Sequence, residues 1–246
     1  MNDINGIGDV RRRLLLKSCA GAAALAATGL VGLTLSRNGQ AAPLTKAQRD
    51  DMTPDQIINE LKQGNERFRK NQLAAADYPA QVKSTASGQY PSAIILSCID
   101  SRAPAELVFD TGIGEVFNSR VAGNVANVDI LGSMEFACAL AGAKVVMVMG
   151  HTACGAIKGA IDNAQLGNLT ELLKKIRPAV DGTTYLGDRS SHNYEFVDAV
   201  VKTNVQMAVG QIRLQSQVLA DMEKQGKIKI VGSVYNLKDG SVEFLA

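Results

Sequence analysis

The stretch Ala93-Ile-Ile-Leu-Ser-Cys-Ile-Asp-Ser-Arg102 decides the fold. It begins with a short apolar run that stops at Cys98, which predicts a buried strand. Lys144-Val-Val-Met-Val-Met-Gly-His151 carries the same signature. Between the two, Ile130, Leu131, Met134, Ala137, Cys138 and Ala141 recur at helical spacing, so residues 129–141 are expected to form a helix. Strands alternating with helices predict an α/β domain, a central and mostly parallel sheet flanked by helices. Such sheets bind ligands beyond the carboxyl ends of their strands. Both strands here run out onto reactive side chains, Cys98 and His151.

Further from this centre the signals are local. Thr53 can cap a helix, Pro54 suits its first position and Gln56 can close a capping box. Ile57, Ile58, Leu61 and Phe68 then supply an apolar stripe reaching about Asn71. Residues 43–52 read as a loose polar arm, and Pro79 as part of a polar linker. Glu115 to Asn118 is a weaker strand. Cys154 is expected to open a helix through Ile161, and another spans Leu169–Ile176, closed by Pro178. After a turn-rich loop over 181–193, Tyr194 to about Gln225 reads as one or two helices. Ile228–Tyr235 and Ser241–Leu245 close the chain as strands joined through Lys238-Asp-Gly240, a hairpin signal.

The 246 residues and 46% hydrophobic content suit one domain with a sizeable core. The formal charge is +2, but Arg11, Arg12, Arg13, Lys17 and Arg37 against Asp3 and Asp9 give residues 1–42 a net +3. The remainder is +2 less +3, or −1, so no basic surface recommends a nucleic-acid partner. Arg12-Arg13-Leu14-Leu15-Leu16-Lys17 resembles a twin-arginine export signal. An uncharged Ala/Gly-rich stretch from Cys19 to Leu35 and a small-residue site at Gly39-Gln40-Ala41-Ala42 follow. Residues 1–42 are therefore expected to be a cleaved signal, with 43–246 as the mature domain. That places the protein in the periplasm or otherwise outside the cytoplasm, with no stable membrane association. The other reading, a retained anchor, meets a stretch short of the roughly 20 apolar residues a span needs. Once Cys19 leaves with the signal, Cys138 is the odd thiol, expected as a small buried hydrophobe rather than half of a disulfide.

Cys98, His151 and Cys154 offer two thiolates and an imidazole, the donor set zinc prefers, and three ligands leave a fourth position for water or substrate. Asp100 and Arg102 add a charged pair beside it. A cation there lowers the pKa of a water from 15.7 towards neutrality. Asp100 can accept a hydrogen bond from that water, and Arg102 can hold Asp100 ionised through two parallel bonds that lysine could not reproduce. The backbone N–H of Gly155, at the start of the helix after Cys154, can hold an anionic product.

With Gly64-Asn-Glu-Arg-Phe68, Arg120-Val-Ala-Gly-Asn124 and His151-Thr-Ala-Cys-Gly-Ala-Ile-Lys-Gly159, these motifs make residues 53–246 similar to the β-class carbonic anhydrases. The resemblance implies zinc held by Cys98, His151 and Cys154, an Asp100–Arg102 dyad, reversible hydration of CO2 to bicarbonate, and homodimers or higher assemblies. It further implies substrate contacts from Gln89, Phe117, Ala122 and Gly155, in the manner of the plant-like branch. Ile95 stands where the branch with a regulatory bicarbonate pocket carries tryptophan, and the chain has none. An open site is therefore expected, rather than one closed by Asp100 as fourth ligand. Ala122 replaces a valine, Phe136 a tyrosine, and Leu140 stands where a proton-shuttle histidine can occur. His192 reads as a solvated loop residue. Two rival readings keep the metal: hydrolysis of CS2 or COS on the same site, and a non-catalytic zinc-binding module.

Overall fold

The computed structural model describes residues 43–245, so the expected export signal lies outside the described residues. The strands are β1 (Ala93–Ser97), β2 (Val116–Arg120), β3 (Val145–His151), β4 (Lys229–Tyr235) and β5 (Val242–Leu245). They form one sheet in the order β2-β1-β3-β4-β5, parallel except for the antiparallel edge strand β5. The expected α/β architecture is thus found.

Helices cover both faces: α1 (Lys46–Asp51), α2 (Pro54–Arg69), α3 (Tyr78–Thr85), α4 (Ala105–Val108), α5 (Val128–Glu135), α6 (Gly155–Ile161), α7 (Gly167–Gly182), α8 (Tyr194–Gln215) and α9 (Gln217–Lys224). Each strand is read by two cores. Ile94, Leu96, Cys98, Val146 and Val148 face one core, with Ile157, Ile176, Val201 and Val205 of α6, α7 and α8. Ala93, Ile95, Val145, Met147 and Met149 face the other, with Ile57 and Leu61 of α2. Double-sided burial is why β1 and β3 read as continuous apolar runs. No helix among the described residues is long and apolar enough to cross a membrane.

The capping box at Thr53 and Gln56 is present as expected. Three local expectations fail, and a fourth is met with a change of pitch. The supposed arm at 43–52 contains α1, started by a second capping box in which Thr45 and Gln48 exchange bonds. The linker around Pro79 contains α3, where Asp77 caps and Pro79 occupies the first turn, a position that needs no N–H donor. Pro178 does not end α7 but lies inside it. The helix expected over 129–141 changes pitch, with α5 giving way to a π-helical turn over Phe136–Leu140.

Candidate metal centre

Register places the centre. Ser97 pairs with Met149 across β1 and β3, so Cys98 emerges beside the end of β3, which finishes at His151. Cys154, the residue preceding α6, brings the third donor. The donor atoms of Cys98, His151 and Cys154 all lie within 4.8 Å of one another, with 4.0 Å between the sulfurs. A tetrahedral zinc with bonds of about 2.3 Å to sulfur needs its two sulfurs roughly 3.8 Å apart. His151 is 1% exposed, and its Nε2 has no hydrogen-bond partner. A buried imidazole nitrogen left without a partner is costly unless something is bound to it. The three residues fit a zinc ion.

Backbone donors surround both sulfurs. Gly123 N–H points at Cys98 Sγ at 3.4 Å, and the Asp100 N–H also serves it. The N–H groups of Ala156 and Ile157, in the first turn of α6, serve Cys154. Gly123 belongs to a tight turn over Ala122–Asn124 with φ +69, and a Cβ there would stand 2.5 Å from Ile176 Cδ1. The sulfurs share protons: the hydrogen bond from Cys154 draws the Cys98 thiol far down, while the same bond and burial push Cys154 up. Burial works against a charged His151, but the Cys98 sulfur outweighs it and the imidazole pKa is raised. Metal uptake must displace those protons.

Asp100 lies at the rim, its Oδ2 3.8 Å from His151 Nε2. Arg102 grips it through Nε to Oδ1 at 2.9 Å and Nη2 to Oδ2 at 2.8 Å, and the Arg102 N–H adds a third bond to Oδ1. Those hydrogen bonds hold the Asp100 carboxyl well below the usual carboxylate range.

Of the expected substrate contacts, Gly155 lies beside Cys154 with open space where a Cβ would be. Ala122 adjoins the Gly123 donor. Phe117 pairs with Ile94 and shares the sheet face of Cys98, but it stands four residues short of Cys98, about 13 Å along the strand, and is not brought to this centre; it meets Phe136 edge-on at 6.3 Å. Gln89 is not brought to the centre. It is exposed beside Gly114, at the amino ends of β1 and β2, whereas Cys98 follows the carboxyl end of β1 about 16 Å further on. Ile95 is fully buried in the second core. Leu140 and His192 are exposed, and Cys138 is buried with its thiol pushed up to about 12 by burial alone.

Two contributors escaped the sequence reading as site residues. Arg120, at the end of β2, donates from Nε to the Cys98 carbonyl at 2.9 Å and from Nη2 to the Asp100 carbonyl at 2.5 Å. Its place in Arg120-Val-Ala-Gly-Asn124 was a usable signal. Asp198 of α8 accepts from the Ala153 N–H at 2.8 Å. No local pattern marks it.

Residues 93–242, from β1 into β5, match the protein family described as carbonic anhydrase. The chain belongs to the carbonic anhydrase family. It is 33% identical over 189 residues to carbonic anhydrase 2 of Mycobacterium tuberculosis, covering 73% of this chain and 87% of that one. Its fold is similar to that of an Aspergillus fumigatus β-carbonic anhydrase, with TM-score 0.59, 24% identity, and 78% and 89% of the two chains covered. A tetrameric β-carbonic anhydrase of Sordaria macrospora gives TM-score 0.60 at 20% identity, covering 78% and 95%.

Proposed function

We infer that this chain is a zinc-dependent carbonic anhydrase that interconverts CO2 and bicarbonate. The observation that carries this is the convergence of Cys98, His151 and Cys154 on one point, with Asp100 at its edge, in a member of that family. When bound there, zinc supplies the positive charge that makes a water acidic enough to give up a proton near neutral pH.

The side chains do the rest. Arg102 keeps Asp100 ionised, so the carboxylate acts only as an acceptor at neutral pH. Its Oδ2, facing the His151 side, can accept a hydrogen bond from the attacking water and so aim the oxygen lone pair at carbon. Val121 and Ala122, which follow β2 level with Cys98, give CO2 an apolar approach with little to compete for it, and the open space at Gly155 leaves room for the product oxygens. The chain's two histidines are His151 and the exposed loop residue His192, so the proton leaves to solvent buffer rather than through a neighbouring imidazole. Stopped-flow CO2 hydration by the zinc-loaded protein is the direct test. A rate equal to that of buffer with one zinc per chain would refute the reading.

The finer assignments are proposals of the same kind. Residues 1–42 act as a twin-arginine signal that delivers the domain 43–246 beyond the cytoplasm, supported by the paired arginines and the following uncharged stretch. Tracking a tagged full-length chain in cells with and without a working twin-arginine translocase tests this. The domain acts as a homodimer or larger assembly of the plant-like branch, supported by exposed Val128, Phe136 and Leu140 on α5 and the π-helical turn. In such an assembly a second copy could bring its Gln89 to this site, which the chain's own Gln89 does not reach. Light scattering on the mature domain checks the assembly.

A further inference from the structure

We propose that Asp198 is a positioning residue for the metal centre, acting through the backbone of Ala153. His151 and Cys154 are separated by Thr152 and Ala153, and Ala153 holds φ +55, in the left-handed region that a residue with a Cβ rarely adopts. This conformation turns the chain sharply enough for β3 to end on one ligand and α6 to begin beside the next. Thr152 is fixed from the β4 side, where its N–H donates to the Tyr235 carbonyl and its Oγ1 accepts from Leu237 N–H at 3.0 Å. Ala153 is fixed in turn by Asp198 of α8, whose Oδ1 accepts its N–H at 2.8 Å. Asp198 sits on α8 between Val197 and Val200, both fully buried, so the acceptor is mounted on a rigid element. The unfavourable turn between the two ligands is thus held by a charge-assisted bond from the core helix. Asp198 touches neither substrate nor metal, and sets the His151–Cys154 spacing from behind.

This inference rests on reading Cys98, His151 and Cys154 as zinc ligands. The test is zinc affinity of the folded protein, measured by competition with a chromogenic chelator, alongside circular dichroism. Asp198→Ala is expected to bind zinc roughly 10- to 100-fold more weakly, the usual cost of removing a partner that orients a metal ligand. Asp198→Asn, which keeps an oxygen acceptor, should stay within about threefold of the parent on the same reasoning. Ala153→Gly, which takes the left-handed turn without help, should recover most of the affinity lost in Asp198→Ala. Cobalt in place of zinc should give an altered sulfur-to-metal absorption band in Asp198→Ala and a parental band in the Asn variant. Parental affinity in Asp198→Ala, an Asn variant as weak as the Ala variant, or no recovery by Ala153→Gly would each overturn the proposal. Should Asp198→Ala not fold, Asp198→Leu removes the acceptors while keeping the bulk. Loss of fold in both would show a role in folding instead, and would equally overturn it. If the parent protein itself takes up no zinc, the ligand reading fails rather than this one.

Discussion

His151 donates its Nδ1 hydrogen to the carbonyl of Thr152 at 3.0 Å, since a carbonyl can only accept. That bond fixes the tautomer and leaves the buried, unpartnered Nε2 with its lone pair free for a metal. The imidazole is therefore committed to coordination rather than to moving protons.

Zinc binding to a site so arranged should raise stability by mass action. With free zinc at 1,000 times its dissociation constant, the gain is about 4.1 kcal/mol. For a domain of this size that raises Tm by roughly 8–16 °C over the chelated protein. Scanning calorimetry with and without chelator measures it. His151→Ala should show no difference between the two conditions.

Asp100→Ala should lower kcat/KM for CO2 hydration by about 100-fold or more while zinc content stays at one per chain, because it removes an acceptor aimed at the reacting water. Arg102→Lys should fall between the parent and Asp100→Ala, since an ammonium cannot reproduce the two parallel bonds. Stopped-flow rates with metal analysis separate loss of chemistry from loss of zinc.

Gly64 lies where α2 crosses the end of α4, and a Cβ on it would stand 1.8 Å from the Phe109 carbonyl oxygen. Backbone cannot step aside as a side chain can. Gly64→Ala should therefore destabilise by about 2–3 kcal/mol despite alanine's better helix propensity. Urea unfolding should show the midpoint falling with an unchanged slope.

The Arg213–Glu223 pair ties α8 to α9, with contacts at 2.7 and 2.9 Å, and both side chains also hold the backbone of Ile230 in β4. Burial works to raise the Glu223 pKa, but the bonds from Arg213 and the Ile230 N–H outweigh it, so the value lies below its ordinary 4.5. A carboxylate depressed on folding contributes stability that is complete above its unfolded pKa and disappears as pH falls through the folded one. Glu223→Gln should thus lower stability near neutral pH and flatten its decline below about pH 5. Urea midpoints across that range test both halves of the expectation.

How much was legible in the chain follows from how local each signal is. β1 and β3 declared themselves because burial on both faces leaves no polar alternation, and Thr53, Pro54 and Gln56 mark the start of α2 within four residues. Cys98, Asp100, Arg102, His151 and Cys154 were readable because two short segments carry the whole donor set. α1 and α3 were missed where polar composition hid caps at Thr45 and Asp77. Pro178 misled because a proline can be accommodated where packing against α6 and α8 supports the surrounding helix. The π-helical turn after Glu135 leaves no mark in apolar spacing. Arg120 and Asp198 reach the centre from distant parts of the chain, and such contacts exist only once the sheet and α8 have assembled. For Gln89 the sequence supplied a resemblance, while the strand direction places it at the far end.

The pairing of Ser97 with Met149 has a kinetic corollary. A hydrogen-bonded ladder, rather than a floppy loop, dictates how far the first thiol stands from the imidazole, so the empty protein already offers a nearly finished socket. Loading should then proceed as simple bimolecular capture, its speed proportional to free zinc and showing no plateau from a slow rearrangement.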